Sequence, residues 1–356
     1  MFKAEELFQN ITDKNHPDET VLTIIQGKGT LPREQAGRNI HYDDASLSNY
    51  KRVEQGDFII HLRSFEGGLE MANEAGIVSP AYTILRCKRP HASLFYDAYF
   101  HTDEFINHNL SKSVEGIRDG RQISYEAFKW LGIPYCEPTE QEKISSLFSV
   151  LNERITKQRD LIESLKKYKR GAVAHILSGK SVAFAVTSSW TEHTLSELCT
   201  EFRSGRNISA TLIHQNGNYP VYGGNGIRGY CNQYSHDGEY VVVGRQGALC
   251  GNVRLIQGKN YLSEHAIAVQ ANEANETKFL LYLLDYMKLG QYSDQGAQPG
   301  LAVNKLLRLK CMVPDKQTQI KIASFLMSFD FQISTQERML MLLNCQRRAL
   351  LQQLFI

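Results

Sequence analysis

The sequence predicts an α+β protein in which two β-rich α/β globular domains, related by a pseudo-twofold axis, are separated by two long antiparallel coiled-coil helices. Three observations predict it: an internal repeat, two extended heptad patterns, and short β-type runs between glycine turns. The chain has 356 residues, which suits two or more domains. Its hydrophobic content of 42% is sufficient for a buried core in each.

The repeat is clearest in two helical segments, because residues 141–177 align without a gap on residues 319–355. The matched pairs are Lys143 with Lys321, Ile144 with Ile322, Ile155 with Ile333, Gln158 with Gln336, Leu165 with Leu343, and Lys169-Arg170 with Arg347-Arg348. Repetition on this scale indicates duplicated structural units. The chain is therefore expected to contain two copies of one module.

Both segments carry a seam of mostly apolar residues at alternating steps of four and three. The first seam comprises Ile144, Phe148, Leu151, Ile155, Gln158, Ile162, Leu165, Lys169, Ala172 and Ile176. The second comprises Ile322, Leu326, Phe329, Ile333, Gln336, Leu340, Leu343, Arg347, Leu350 and Leu354. Such seams predict coiled-coil helices roughly 55–60 Å long. Pro138 and Pro314 precede them, where proline commonly marks a helix start.

Two arrangements of these helices fit the pattern. Each helix could lie across its own domain, but equal lengths and matched periodicity favour pairing with each other. In an antiparallel pair, Gln158 and Gln336 lie near the pseudo-twofold centre and are able to hydrogen-bond to one another. Since a buried polar pair fixes register at some cost in stability, we predict that these two glutamines set the register of the coiled coil.

The globular segments also match each other. In each, a Gly-acid pair precedes a short β-type run, Phe58–Ile60 in one and residues 240–242 in the other, and an arginine follows. Later, "FYDAYF" parallels "FLLYLL", and "ISYEAFKWLGIPY" parallels "AVNKLLRLKCMVP". The predicted order is a first domain at 1–137, a long helix at 138–178, a linker at 179–189, a second domain at 190–313 and a second long helix at 314–356.

Bulk composition narrows the class of protein. Lys and Arg number 40 against 38 Asp and Glu, so the net charge of +2 predicts no partner by itself. Seven scattered cysteines without a C-x-x-C pair fit a reducing cytosol and no metal site. The N-terminal sequence does not resemble a signal peptide, and no apolar run approaches the roughly 18 residues of a membrane span. A soluble, cytoplasmic protein without membrane contact is expected.

The stretch "YPVYGGNGIRGY" contains Gly224, Gly226 and Gly229 in the spacing G-x-G-x-x-G. A dinucleotide-binding turn needs a buried strand before the first glycine and a helix after the last, and neither flank has that pattern. Residues 202–236 contain no Asp or Glu but are rich in Arg, Asn, Gln and Tyr. Such loops suit DNA, since Arg reads guanine, Asn and Gln read adenine, and glycine permits close backbone approach. A solvated, turn-rich loop remains the alternative.

Candidate DNA-binding residues are taken from these loops and from their counterparts in the first domain. In the second domain they are Arg203, Arg206, Tyr222, Asn225, Arg228, Arg245 and Gln246. In the first domain they are Lys28, Arg33, Arg38, Arg63, Arg118 and Arg121. Two domains with different loops, held apart by helices, suggest two readers of a split DNA site.

The layout resembles the specificity subunit of type I restriction–modification enzymes over nearly the whole chain. The motifs that carry the resemblance are "YPVYGGNGIRGY", "GEYVVVGRQGALCGNV", "EPTEQEKISSLF" with its copy "PDKQTQIKIASFL", and the basic helix ends "KKYKRGAVAHIL" and "CQRRALLQQLF". One departure is that Thr318-Gln319 replaces Glu140-Gln141, so the two helix starts are expected to be capped differently.

The resemblance implies two target-recognition domains that each read half of a bipartite site on double-stranded DNA, with the coiled coil as the ruler for the spacer. It also implies assembly with two adenine-methylating subunits that use S-adenosylmethionine, and with ATP-driven restriction subunits. The specificity subunit itself is implied to be non-catalytic. No cofactor of its own is expected.

Two other classes of function remain open from the residues alone. One is an enzyme, either a stand-alone adenine methyltransferase or a nucleotide-cofactor enzyme that uses the Gly224/Gly226/Gly229 loop. Against it, the sequence contains no Walker A loop, no H-E-x-x-H and no Asn/Asp-Pro-Pro-Tyr type of run. Base extrusion for adenine methylation would then belong to a partner. The other is a structural adaptor whose helices only pair. The basic run Lys166, Lys167, Lys169 and Arg170 is a candidate for contact with a partner subunit or with DNA phosphates.

Overall fold

Short β-type runs and glycine turns form small sheets in both halves of the chain. The structure, a computed structural model, describes residues 1–36, 44–116, 121–178, 189–247, 249–294 and 300–355. The chain divides into two compact units. The first comprises Met1–Arg159 and Arg338–Ile356, and the second comprises Asp160–Glu337. The division falls inside both long helices, so each unit contains half of each helix. The predicted linker lies almost entirely outside the described residues.

The first globular segment contains twelve strands and four short α-helices within the described residues. The strands are β1 Phe2–Lys3, β2 Phe8–Ile11, β3 Leu22–Ile25, β4 Gly29–Pro32, β5 Lys51–Val53, β6 Phe58–Ile60, β7 Glu70–Met71, β8 Gly76–Val78, β9 Thr83–Cys87, β10 Val114–Glu115, β11 Gln122–Ile123 and β12 Gly132–Ile133. The helices are α1 Ala4–Leu7, α2 Ser64–Gly67, α3 Ser93–Phe100 and α4 Tyr125–Phe128. The first long helix, α5, then spans Pro138–Leu177.

The second globular segment contains ten strands and three short α-helices within the described residues. Its strands are β13 Thr191–Thr194, β14 Cys199–Ser204, β15 Tyr219–Gly223, β16 Gly226–Cys231, β17 His236–Asp237, β18 Tyr240–Gly244, β19 Val253–Ile256, β20 Lys259–Leu262, β21 Ala266–Ala271 and β22 Lys310–Val313. Its helices are α6 Leu195–Leu198, α7 Thr277–Tyr286 and α8 Val303–Leu306. The second long helix, α9, spans Lys316–Leu354.

Each unit is built around a four-stranded antiparallel sheet of the same topology. The order is β2-β9-β6-β7 in the first unit and β14-β21-β18-β19 in the second. A short antiparallel pair precedes the long helix in each, β1 with β12 and β13 with β22. The second unit adds a sheet in the order β16-β15-β20-β17, in which β15 and β20 run parallel. The sequence matches between the globular segments therefore correspond to equivalent elements.

The two cores differ in chemistry although the topology is shared. The first is aromatic: the rings of Phe8 and Tyr96 lie 5.0 Å apart, as do those of Phe58 and Phe100. Such pairs add about 0.5–1.5 kcal/mol each beyond the area that they bury. The second core is aliphatic and is formed by residues such as Val241, Val243, Ile267, Val269, Leu280 and Leu283. Each core also takes in residues from both long helices.

The two helix segments run antiparallel in each unit. In the first unit, Phe148 packs on Phe355, and further along α5 the Nε of Arg347 donates to Oδ1 of Asn152 at 2.9 Å. In the second unit, Lys166 pairs with Glu337 at 2.9 Å and Lys169 with Asp330 at 2.5 Å. Partner numbers fall on α9 as they rise on α5. The predicted fold class is confirmed, and the alternative of two separate helices is wrong.

Nine of the twenty predicted seam residues are buried, namely Phe148, Leu151, Ile155, Ile162 and Ile176 on α5, and Ile322, Leu326, Ile333 and Leu343 on α9. All but one of the others are half-buried. The prediction is wrong at the end of α9, where Leu354 is 41% exposed and Leu351 and Phe355 are buried instead. The reason is a change of partner, since Phe355 packs on the α3 residues Phe95 and Tyr99 of the core.

The two long helices begin with the same glutamine contact in spite of different flanking residues. Gln141 accepts a hydrogen bond from Ala92 N and donates to Cys136 O, and Gln319 accepts from Glu276 N and donates to Pro314 O. Both glutamines are buried. The expected difference in capping also appears, because Asp315 accepts from the backbone N and the hydroxyl of Thr318 only in the second copy.

Candidate nucleic-acid interface

The glycine-rich stretch is an antiparallel β-hairpin, with β15 and β16 joined at Gly224 and Asn225. A Cβ at Gly224 would lie 2.2 Å from the carbonyl oxygen of Gln246, so only glycine permits this backbone contact. Gly226 has φ +97°, a conformation that L side chains rarely adopt. A dinucleotide-binding turn requires a helix after the last glycine, but here strand β16 continues past Gly229. The glycines therefore serve hairpin geometry and packing.

Two arginines flank this hairpin turn. The side chain of Arg228 on β16 crosses Gly223, with its Cδ 2.5 Å from where a Cβ on that glycine would stand. Arg254 on β19 crosses Gly226, with one terminal guanidinium nitrogen 2.9 Å from the corresponding position. Both arginines and the turn residue Asn225 are exposed. The sequence prediction missed Arg254 because it lies on a different strand, outside the acid-free segment.

A cavity of about 220 Å³ lies beside the turn. The residues that line it include Tyr222, Asn225, Asn252, Arg254 and Asp285. Amides and a guanidinium are the groups that bind base edges and phosphates. We define this surface, with Arg228, as the hairpin patch.

The guanidinium of Arg245 is turned toward the protein backbone. Its Nε donates to Leu301 O at 3.4 Å, and a terminal nitrogen donates to Glu264 O at 3.3 Å. Gln246 is held next to it, since its Oε1 lies 2.5 Å from Nδ1 of His265. Both side chains are half-buried. These bonds support a structural role for the two residues more than base readout.

Arg203 and Arg206 lie at the end of β14, and both are exposed. The Nε of Arg203 donates to Oε1 of Glu201 at 2.7 Å, and the buried His236 lies 3.2 Å from the same oxygen. Burial alone would raise the pKa of Glu201, but the hydrogen bonds from Arg203 and His236 outweigh it and lower the pKa. Burial lowers the pKa of His236. Glu201 therefore partly neutralises Arg203 and leaves Arg206 as the cation nearer the adjacent loop.

Lys259 is a further cation that the sequence prediction did not include. Its Nζ lies 4.9 Å above the ring of Tyr234, which packs edge-on against Tyr219 at 5.3 Å. Lys259 is exposed, and Tyr234 is 46% exposed. The sheet that carries the hairpin patch thus also presents an aromatic and cationic surface of the kind that contacts nucleic acid backbones and bases.

In the first unit, three predicted residues gather around α2. Arg63 directly precedes this helix, and the guanidinium of Arg121 lies 4.3 Å from the ring centroid of Phe65. Lys28 lies in the β3–β4 turn, two residues after Gln26, whose side chain reaches Gly67 of α2. Lys28, Arg63 and Arg121 are all exposed. We define these three residues as the first-domain patch.

The remaining predicted residues lie apart from this patch or outside the described residues. The guanidinium of Arg33 lies 5.9 Å from the ring centroid of Tyr50 and is half-buried. Arg38 and Arg118 fall outside the described residues. Gln158 and Gln336, the predicted register residues, are each half-buried on their helices. A hydrogen bond between them stays a prediction.

The basic run on α5 is divided between paired and exposed lysines. Lys166 and Lys169 bond to α9, and Asp330 also accepts a hydrogen bond from the hydroxyl of Tyr282 at 2.6 Å. Lys167 and Arg170 are exposed. Lys166 and Lys169 therefore serve helix pairing, and Lys167 and Arg170 are the members of the run that stay exposed.

The described residues offer no evident metal site, and two of their thiols are held in the protonated form. The described residues hold no group of three or more His, Cys, Asp or Glu placed for a metal ion. Burial raises the pKa of Cys199 to about 12 and that of Cys311 to about 11, which keeps both thiols protonated at neutral pH. Among these same residues, every helix is too short or too polar to span a membrane.

Comparison with known families identifies the second half of the chain. Residues 187–341 match the family model described as "Type I restriction modification DNA specificity domain". The type I restriction enzyme EcoprrI specificity subunit of Escherichia coli is 46% identical over 141 residues, which cover 38% of this chain and 35% of that protein. A putative type I specificity subunit of Mycoplasma pneumoniae is 28% identical over 141 residues, 46% of its length. The matched region thus spans a third to a half of the curated relatives.

Solved structures share the fold over the whole chain. The type I restriction–modification system S subunit from M. genitalium superposes with a TM-score of 0.67 at 18% identity, covering 100% of this chain and 95% of that one. The HsdS subunit from Thermoanaerobacter tengcongensis gives 0.51 at 17% identity, covering 99% and 95%. These identities establish the fold alone. With the matched domain, the shared fold confirms the resemblance found in the sequence: residues 187–341 belong to the type I restriction modification DNA specificity domain family, and the chain has the fold of the type I S subunits.

Proposed function

We propose that this subunit reads a bipartite site on double-stranded DNA, with one half-site for each globular domain. One observation carries the proposal: the two units share a topology but present different exposed cations. The second carries the hairpin patch with Arg228 and Arg254, and the first carries the first-domain patch. Equivalent scaffolds with different surface groups suit two readers of two different sequences.

The protein is proposed to be non-catalytic, with methylation and cleavage performed by partner subunits. The match to the type I specificity domain and to type I specificity subunits supports this role. Base extrusion and methyl transfer from S-adenosylmethionine would then come from two adenine-methyltransferase subunits. ATP-driven restriction subunits would join the same complex. A cytoplasmic location is part of the proposal, because DNA, S-adenosylmethionine and ATP meet there.

The repeat supports two identical docking sites for methyltransferase subunits. Leu147 on α5 and Phe325 on α9 occupy the same place in the two repeats and are 45% and 43% exposed. Leu161 and Met339 form a second matched pair at 45% and 40%. Exposed apolar side chains at equivalent positions are expected where the same partner surface binds twice.

Adenine-methylation mapping tests the function directly. The chain is expressed with its cognate methyltransferase subunits, and methylated adenines are located by single-molecule sequencing. A split motif with a fixed unspecified spacer is expected. A continuous motif would contradict the two-reader proposal, and methylation that is unchanged without this chain would remove its role in recognition. Calorimetric titration of the isolated chain with S-adenosylmethionine is the control and should give no binding.

A further inference from the structure

A tightly fixed turn carries Lys28 at the surface of the first domain. Gly27 and Gly29 on either side of it have φ values of +73° and +76°, so both positions favour glycine. Lys28 N donates to Ile25 O at 2.9 Å, and Lys28 O accepts from Nδ2 of Asn73 at 2.8 Å. The backbone of the lysine is thus fully bonded, while its side chain is exposed.

A buried carboxylate holds this turn from below. Glu70 is 0% exposed and accepts from Gly27 N at 2.6 Å through Oε1 and from Gly29 N at 2.9 Å through Oε2. Both carboxylate oxygens therefore accept from backbone amides of the same turn. Hydrogen bonds of this charge-assisted kind are stronger than neutral ones.

His101 supports the carboxylate from the opposite side. Its Nε2 lies 3.3 Å from Oε1 of Glu70, and its Nδ1 lies 2.8 Å from Asp97 O. Burial lowers the pKa of His101, but the hydrogen bond to Glu70 and the charge of Asp97 outweigh burial, so that the pKa is raised. The raised pKa favours the protonated imidazole, whose charge would offset that of the buried carboxylate.

We propose that Glu70 is a positioning residue for DNA binding, whose buried carboxylate fixes the turn that presents Lys28 to a phosphate of the first half-site. The proposal rests on the proposed function, since it assumes that the first domain contacts DNA. Rigid presentation matters because a lysine on a loose turn would lose more conformational entropy on binding. A carboxylate repels a phosphate, so a benefit of Glu70 to DNA binding would come through the turn that it holds.

Glu70→Gln tests the proposal, because an effect through the turn and an effect of charge alone would change DNA affinity in opposite directions. Glutamine keeps the shape but has one acceptor oxygen, and its NH₂ group would face a backbone N–H. If Glu70 acts through the turn, we expect affinity for the methylated-motif duplex to fall about fivefold, with about one unit lost from the salt slope. If only charge mattered, removal of a negative group would strengthen binding.

The experiment uses the complex of this chain with its methyltransferase subunits and measures DNA affinity by fluorescence anisotropy across salt concentrations. Lys28→Ala should match Glu70→Gln, and the double variant should bind no more weakly than either one. The matched control is Glu66→Gln, an exposed glutamate on α2, which should not weaken binding. A scrambled duplex of equal length should show the same loss, since a phosphate contact carries no sequence information.

Unchanged or tighter DNA binding by Glu70→Gln would overturn the inference. It would also be overturned if the fold loss of affinity in the double variant were the product of the two single losses. If thermal unfolding shows that Glu70→Gln is not folded, Asn73→Ser replaces it, because this change removes the donor to Lys28 O. It should lower the salt slope by the same amount. If the unmodified complex binds no duplex, the proposed function fails and the inference fails with it. If the unmodified complex binds DNA but Lys28→Ala leaves the salt slope unaltered, the inference is rejected and the proposed function is not.

Discussion

Arg228 and Arg254 reach the same hairpin turn from two different strands. β16 carries Arg228 within the acid-free segment, whereas β19 carries Arg254 beyond it. Both side chains cross glycines of the turn, at Gly223 and Gly226. An added Cβ at either glycine would collide with a guanidinium or its stem. The two glycines therefore leave room for arginine side chains from two different strands to pass over the same exposed turn.

Arg254→Ala and Arg228→Ala are each expected to weaken DNA binding by about 1–3 kcal/mol if the arginine reads a base, without a change in melting temperature. Their side chains are exposed and have no described bond to the protein core. Arg245→Ala should instead lower the melting temperature, because it removes donors from Leu301 O and Glu264 O. Anisotropy and thermal unfolding of the same variants separate the two effects. If Arg245→Ala lost as much DNA affinity as the other two variants without a lower melting temperature, the structural role of Arg245 would be contradicted.

Gln141 and Gln319 each link the start of a long helix to the start of a short one. Gln319→Ala would leave the amide of Glu276 and the carbonyl of Pro314 without this partner in a buried place. We expect a loss of about 1–3 kcal/mol in the free energy of unfolding, and a similar loss for Gln141→Ala. Urea unfolding measures both. The control Gln353→Ala, on an exposed part of α9, should stay within about 0.5 kcal/mol.

At the scale of the helices, the repeat preserves the position of a polar bond but changes its chemistry. Asn152 with Arg347 and Asp330 with Lys169 are equivalent pairs, since the repeat alignment relates the acceptors to each other and likewise the donors. Tyr282 adds a third member only in the second unit. Matched geometry with unmatched charges indicates that the two helix halves have diverged while register was retained.

The predicted register residues test how much polarity the seam tolerates. Replacing Gln158 and Gln336 together by leucine should raise the melting temperature, because two half-buried amides give way to apolar side chains that suit a coiled-coil seam. The gain is expected to be about 1 kcal/mol in the free energy of unfolding. Either single variant should gain less, since one amide remains. An unchanged or lower melting temperature in the double variant would contradict the prediction.

The sequence predicted those elements whose pattern repeats over a distance. Heptads from Ile144 onward predicted two long paired helices, since periodicity over many turns is insensitive to any one residue. It did not predict that Leu351 replaces Leu354 in the core, because that depends on the position of Phe95 and Tyr99. Arg254 was missed for the same physical reason. Contacts between distant strands are set by the fold and leave no local signal.

For the whole molecule, matched exposed residues predict the stoichiometry of partners. Leu147→Asp and Phe325→Asp should each reduce bound methyltransferase from two copies to one, and the double variant should bind none. A buried charge in an apolar interface is strongly unfavourable, which gives the direction. Native mass spectrometry counts the copies. The control is Tyr168→Asp, because Tyr168 is 70% exposed but its counterpart Gln346 is polar, and two copies should remain.

The longest-range prediction concerns the spacer between half-sites. Insertion of seven residues at matched positions in α5 and α9 keeps the heptad seam in phase and lengthens each helix by about 10 Å. At roughly 3.4 Å per base pair, the spacer of the methylated motif should grow by about three base pairs, with both half-sites unchanged. Methylation mapping measures the spacer. Insertion in α5 alone puts the paired seams out of register and should abolish methylation. Unaltered spacing in the double insertion would show that the helices do not measure the distance between half-sites.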